Sequence, residues 1–198
     1  MYSKWPSLPS SSPLSLLLSP LPNQLLSKAD VIAVACKAQG NEAFRKKRFL
    51  TAARYYSEGL RFAFTRSVQA TLLTNRATSY YHCAVGDELQ TLASSFLFAA
   101  ISDCVAALRL DAEYGTALCR LGEVIAKTHE QQPELASCVL KEAVRLGVLT
   151  KSASSVLDTL PMSSKSQPRF ENALNQLEAY TKHAPLHLAT EWIPSAER

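Results

Sequence analysis

Three stretches of the chain repeat one arrangement of small and large side chains. Each has a small residue, a larger apolar residue four positions later and a small residue three positions after that: Ala52, Tyr56, Gly59; Ala100, Cys104, Ala107; Ala136, Leu140, Ala143. Spacings of four and three place such residues on one stripe of an α-helix. Small side chains on that stripe let a second helix approach closely. The pattern therefore predicts three helices that each pack tightly against a partner helix.

The partner helices are predicted from the apolar periodicity of the whole central region. Apolar residues recur there at spacings of three and four, with few Gly or Pro residues inside each segment. We predict helices over residues 30–46, 49–63, 67–85, 96–110, 114–128 and 133–146, and weaker ones over 149–160 and 168–182. The first helix of each pair carries a small residue, namely Gly40, Ala77 or Gly122. The six helices with the clearer periodicity are expected to pair, in chain order, into three hairpins.

These offsets resemble the tetratricopeptide repeat (TPR) family, whose 34-residue unit is a pair of antiparallel helices. Gly40 and Ala77 are 37 residues apart and Ala77 and Gly122 are 45 apart, so the extra length falls in connections. The resemblance implies an all-α fold, an antiparallel helix-hairpin solenoid of three TPR units with a C-terminal capping helix. A capping helix is expected because a stacked array exposes the apolar side of its last repeat. A generic array of helical hairpins is the alternative.

The chain is predicted to divide into four regions. Residues 1–27 are rich in Ser, Pro and Leu with Lys4 as the one charge, and we expect a disordered leader over residues 1–29. Residues 30–147 form the three-repeat domain, 148–183 the capping helix region and 184–198 a loose tail. The apolar run in the leader is far shorter than the ~20 residues of a spanning helix, so no membrane partner is expected.

Composition and charge limit the function classes. With 198 residues, 47% of them apolar, the chain has enough material for one globular domain. The net charge is +4, and residues 37–66 alone carry eight cations against two acids, a local +6. A net charge of +4 for the whole chain gives no general electrostatic argument for nucleic acid or membrane binding. An RNA-contacting basic helical module is kept as a less favoured alternative.

Cysteine and histidine usage argue against metal and redox chemistry. Five cysteines form no Cys-x-x-Cys pair, and the four histidines have no metal-binding spacing: Cys36, Cys83, Cys104, Cys119, Cys138; His82, His129, His183, His187. A Gly-rich phosphate loop is also absent from the sequence. We therefore expect reduced core thiols, a cytoplasmic location, no cofactor, no metal and no enzymatic activity.

Polar residues on the first helices indicate a binding groove. Lys37 and Asn41 lie four apart on the first helix, Asn75 lies on the third and Arg120 on the fifth. The first helices of stacked hairpins line the concave side, so these side chains are expected to converge. An ammonium, two amides and a guanidinium together complement a carboxylate. The sequence therefore predicts an anion-binding groove.

The same residues resemble the carboxylate clamp of a subset of TPR co-chaperones. That subset has Lys-x-x-x-Asn, Asn-Arg-small and Lys-x-x-x-Arg on its first, third and fifth helices, and here Thr116 replaces the last Lys. The resemblance implies binding of the C-terminal Glu-Glu-Val-Asp of the seventy- or ninety-kilodalton heat-shock chaperones. Peptide-binding residues would be Lys37, Asn41, Asn75, Thr116 and Arg120, and further groove candidates are Phe44, Arg45 and Lys127.

Two features of the fifth helix are expected to weaken such a clamp. Thr116 lacks the ammonium, which removes a charge-assisted contact of about 1.5 to 3 kcal/mol. Glu123, one turn beyond Arg120, is expected to repel an acidic peptide. A TPR scaffold that binds another protein partner, through the groove or through the insertion at residues 88–99, is therefore the second interpretation. The apolar residues 92–99 are expected to extend the fourth helix and pack.

Overall fold

The computed structural model describes residues 23–86, 91–128, 133–160 and 168–182. Those residues form eight α-helices and no strand: α1 Asn23–Arg45, α2 Phe49–Phe62, α3 Arg66–Val85, α4 Ala93–Leu110, α5 Gly115–Thr128, α6 Pro133–Arg145, α7 Lys151–Thr159 and α8 Phe170–Lys182. The predicted all-α fold class is confirmed.

The first six helices form three hairpins that stack side by side. Helices α1 and α2, α3 and α4, and α5 and α6 pack as pairs, and each pair also contacts the next through α2–α3 and α4–α5. Helices α1 and α3 contact each other, as do α3 and α5. The odd-numbered helices therefore form one layer, which carries the residues predicted to bind a ligand.

The repeated small and large residues make the contacts within the hairpins. All nine residues of the three repeated sets are buried. A methyl group added at Gly40 would overlap the Tyr56 ring, and one added at Gly122 would overlap the Leu140 side chain. In the first and third hairpins the large residue of the second helix thus fills the space above the glycine of the first. The sequence pattern specified these helix contacts correctly.

Two helices begin at least three residues earlier than predicted. Helix α1 begins at Asn23, so the predicted disorder of residues 1–29 is wrong for 23–29, while residues 1–22 lie outside the described part. The segment from Asn23 has no Gly or Pro and contains good helix formers, so it continues the helix upstream. Helix α4 begins at Ala93 rather than at residue 96, and Phe96 is buried. The apolar residues after Leu92 extend α4 and pack, as expected.

The last two described helices cover the third hairpin. Helix α7 packs on α5 and α6, and α8 packs on α4 and α6. Leu174 and Leu177 of α8 are both 1% exposed. Helix α8 therefore has the position of the predicted capping helix, although the predicted tail at 184–198 lies outside the described residues.

Two helix ends share one turn geometry. After α6, Gly147 has a φ of +68° and the Val148 amide donates to the Ala143 carbonyl at 3.0 Å. After α1, Lys47 has a φ of 59° and the Arg48 amide donates to the Ala43 carbonyl at 3.0 Å. Both ends use the left-handed cap that favours glycine. The basic run at residues 46–48 is therefore the turn between α1 and α2.

Helix α4 is long and apolar enough, by length and composition alone, to cross a membrane. In this fold it packs against α3, α5 and α8, and Phe96, Ile101 and Leu108 are buried among the other helices. Its apolar composition therefore matches its place at the centre of the core.

Candidate functional site

The two predicted asparagines meet across helices α1 and α3. The Asn75 Nδ2 donates to Asn41 Oδ1 at 3.4 Å, and the Tyr56 hydroxyl donates to the same oxygen at 2.8 Å. Because the oxygen of Asn41 accepts both bonds, the nitrogen end of its amide is the end left for a ligand. Asn41 is exposed and Asn75 half-buried, so a ligand can reach the pair.

Tyr56 fixes the position of Asn41. The residue is 2% exposed, and its ring lies over Gly40, where a larger residue would displace it. Burial raises the pKa of Tyr56 to about 12, so the hydroxyl keeps its proton near neutral pH. It therefore stays a donor to Asn41 and holds the amide in one orientation. The sequence marked Tyr56 as a packing residue only, and its second role followed from the distance to Asn41.

Lys37 lies one helical turn before Asn41 on α1 and is partly exposed. Residues four apart share one face of a helix, so the ammonium can reach a group bound at Asn41. Lys37, Asn41 and Asn75 together offer donors to a single anion. All three residues lie on α1 and α3.

Arg120 takes a different set of partners. Its Nη1 lies 2.7 Å from Glu123 Oε2, and its guanidinium carbon lies 5.0 Å from the centre of the Tyr81 ring on α3. The Arg120 side chain is 21% exposed and that of Glu123 only 5%. The structure therefore directs Arg120 to Glu123 and Tyr81 rather than to the Asn41–Asn75 pair.

Two other predicted residues of α5 lie at the surface. Thr116 is one turn before Arg120 and is exposed, and Lys127 is exposed in the last turn of α5. Lys127 lies seven residues past Arg120, which is ~10 Å along a helix axis. It is therefore too far along α5 to replace a Lys at position 116.

Phe44 and Arg45, the remaining groove candidates, differ in environment. Phe44 contacts the rings of Phe49 and His82 edge-on, with centroids 5.2 and 5.3 Å away. Arg45 is exposed and its guanidinium lies 2.7 Å from Glu42 on the same helix. Phe44 thus belongs to an aromatic cluster that joins α1, α2 and α3, whereas Arg45 forms a surface ion pair.

Arg76, next to Asn75, has a structural role. Its Nε and Nη2 both donate to the Asp103 carboxylate at 2.7 Å, and its Nη1 donates to Ser57 Oγ at 2.9 Å. The Asp103 side chain is 8% exposed, so the pair is buried between α3 and α4. This contact holds α3 in place and thereby positions Asn75.

The cysteines are thiols in the described residues, and four of the five are buried. Burial raises the pKa of Cys83 to about 12, which keeps it protonated. Among the described residues no group of three His, Cys, Asp or Glu side chains is placed to hold a metal ion.

One solved structure has a fold similar to that of this chain. The chain is similar to the first TPR of Spaghetti (RPAP3) bound to the HSP90 peptide SRMEEVD, with 24% sequence identity and a TM-score of 0.53. The match covers 66% of this chain and 94% of that one. No family model and no curated protein matches the sequence. The fold is therefore that of a TPR helical repeat.

Proposed function

We propose that the chain is a non-enzymatic, cytoplasmic adaptor that resembles a co-chaperone. It binds the acidic C-terminal peptide, of the Glu-Glu-Val-Asp type, of a seventy- or ninety-kilodalton heat-shock chaperone. The peptide lies in the concave groove of the odd-numbered helices, with its terminal carboxylate at Lys37, Asn41 and Asn75. The similar TPR structure, which holds a peptide of this type, supports the choice of ligand.

The observation that carries the proposal is the joined pair of asparagines. Two amides 3.4 Å apart on neighbouring hairpins, with one oriented by Tyr56, present donors to one point in the groove. A carboxylate accepts up to about four hydrogen bonds, so it satisfies several donors at once. Lys37 supplies the positive charge that makes such bonds charge-assisted.

The test compares a free-acid peptide ending in Glu-Glu-Val-Asp with its C-terminally amidated form. Calorimetry with the full chain should show binding of the free acid and a loss of at least about tenfold on amidation. Asn41→Ala should weaken the free acid by about tenfold or more, since a hydrogen bond to a charged group contributes about 1.5 to 3 kcal/mol.

The matched control is Asn172→Ala, an exposed asparagine on α8, which should leave binding unchanged. Arg120→Ala is a poorer probe because it leaves the Glu123 carboxylate buried without its partner. Equal affinity for the acid and the amide would contradict the proposal.

A scaffold for another protein partner is the second candidate, and the Arg120–Glu123 pair favours it. With Arg120 engaged at 2.7 Å and Thr116 neutral, the groove is less basic than the clamp motif implies. Such a scaffold would bind a partner whose terminal carboxylate is blocked. An RNA-contacting surface has less support, because Arg45, Lys46 and Arg61 of the basic segment all form ion pairs with Glu42 or Glu58.

A further inference from the structure

The charges of the candidate groove are unevenly distributed between its two ends. At the α1 end, Lys37 lies beside two neutral amides. At the α5 end, Arg120 is paired with Glu123 at 2.7 Å, and Thr116 on the same face carries no charge. The formal charges of Lys37, Arg120 and Glu123 sum to one positive charge. The groove therefore complements one carboxylate rather than two.

Because Glu123 is buried, its ion pair with Arg120 is costly to break. Its side chain is 5% exposed, and Arg120 is its ion-pair partner and also lies over the Tyr81 ring. To turn Arg120 toward a ligand would leave a buried carboxylate unpaired, which is strongly unfavourable. A second ligand carboxylate at this end would also face the negative charge of Glu123.

We infer that Glu123 is a specificity-determining residue that makes the groove indifferent to the charge of the ligand's last side chain. The inference rests on the proposed function. The ligand class is a peptide with a free C-terminal carboxylate whose final residue is acidic or neutral. The terminal carboxylate binds at Lys37, Asn41 and Asn75, while the positive charge of Arg120 that the final side chain meets is offset by the negative charge of Glu123.

The experiment measures the affinity of the full chain for two free-acid peptides that differ only in the last residue, Glu-Glu-Val-Asp and Glu-Glu-Val-Asn. The wild type should bind both with dissociation constants within about threefold. Glu123→Gln keeps the size and one acceptor for Arg120 but removes the negative charge. It should prefer the Asp peptide by about tenfold, as expected for one charge-assisted contact.

Two further variants keep the test decisive. Thr116→Lys adds an ammonium at an exposed position with Glu123 in place, so it is a positive control for the Asp preference that one added charge gives at this end of the groove; the wild-type ratio tests the inference even if Glu123→Gln folds poorly. Glu142→Gln removes the same charge from the surface pair with Arg145 on α6, where the ion-pair distance is also 2.7 Å, and should leave the ratio at its wild-type value. Thermal unfolding of each variant checks that it is folded.

The outcomes separate the two proposals. A tenfold Asp preference in the wild type, with binding still lost on amidation, contradicts the role of Glu123 and leaves the proposed function standing. An unchanged ratio in folded Glu123→Gln also contradicts it, whatever the ratio in Thr116→Lys. Affinity that does not depend on a free terminal carboxylate overturns the proposed function, and the inference with it.

Discussion

His82 lies in a cluster of aromatic rings formed by Phe44, Phe49 and Tyr81. Its ring stacks on Phe49 with centroids 4.8 Å apart, and the centroids of Phe44 and Tyr81 lie 5.3 and 5.7 Å from it. Burial lowers the pKa of His82, and the charge of Arg120 lowers it further, partly opposed by Glu123. The folded protein therefore favours the neutral imidazole.

Protonation of His82 should couple stability to pH. The unfolded chain takes up a proton near pH 6.5, whereas the folded chain does so only at a lower pH. The contribution of His82 to the free energy of unfolding is thus full above about pH 6.5 and falls as the pH drops toward the folded-state pKa. Urea unfolding at pH 7.5 and 5.5 should show a larger loss for the wild type than for His82→Phe. An equal loss in both proteins would show that His82 does not titrate differently on folding.

The sequence predicted the residues of the candidate site better than it predicted their contacts. Lys37, Asn41, Asn75 and Arg120 were proposed from their positions relative to the small residues of each repeat, and the contact between Asn41 and Asn75 agrees with that spacing. Spacing does not determine which partner a flexible side chain takes. The sequence predicts Glu123, three residues past Arg120, as a charge that repels an acidic ligand. That Glu123 is buried beside Arg120 is seen only once the helices are packed.

The hairpin of α3 and α4 contains a largely buried ion pair. Arg76 and Asp103 form a bidentate ion pair that is largely shielded from water. The two N–O distances between the guanidinium and the carboxylate are both 2.7 Å. In the sequence Arg76 is the neighbour of Asn75 in the Asn-Arg-small motif, and the family resemblance allows it an ion pair without naming the partner. Nothing in the local pattern assigns it to an aspartate 27 residues away, because that contact arises only when the two helices pack.

Loss of one partner of this pair should cost much more than loss of a surface pair. Asp103→Ala should lower the free energy of unfolding by about 3 to 5 kcal/mol, since it leaves a buried guanidinium without its counter-ion. Glu142→Ala, which breaks the exposed pair with Arg145, should cost no more than about 1 kcal/mol. Urea unfolding measures both. A cost for Asp103→Ala as small as that of Glu142→Ala would show that the pair contributes little.

At the scale of the molecule, α8 joins the second and third hairpins. Its apolar face is buried against α4 and α6, and Arg109 of α4 contacts Glu171, Asn175 and Glu178 along its polar side. The apolar face contributes through burial, whereas the exposed ion pairs contribute little in water. The cap is therefore held mainly by its leucines.

Two substitutions at this interface should separate these contributions. Leu174→Ala should destabilise the chain by about 2 to 5 kcal/mol because it opens a cavity at a fully buried position. Arg109→Ala should cost about 1 kcal/mol or less. Hydrogen exchange of α8 in each variant, together with urea unfolding, tests the ranking. If α8 lost more protection from hydrogen exchange in Arg109→Ala than in Leu174→Ala, the ion pairs and not the leucines would hold the cap.

The sequence alone determined the helices, their pairing and the layer that carries the polar residues, because apolar periodicity and small-residue spacing act between near neighbours in the chain. The tertiary structure decided which groups meet across helices. Tyr56 was joined to Asn41, Arg76 to Asp103, and Arg120 was placed over Tyr81 while paired to a buried Glu123. The reason is that burial sets whether a charge stays available or needs a partner, and burial exists only once distant segments have packed.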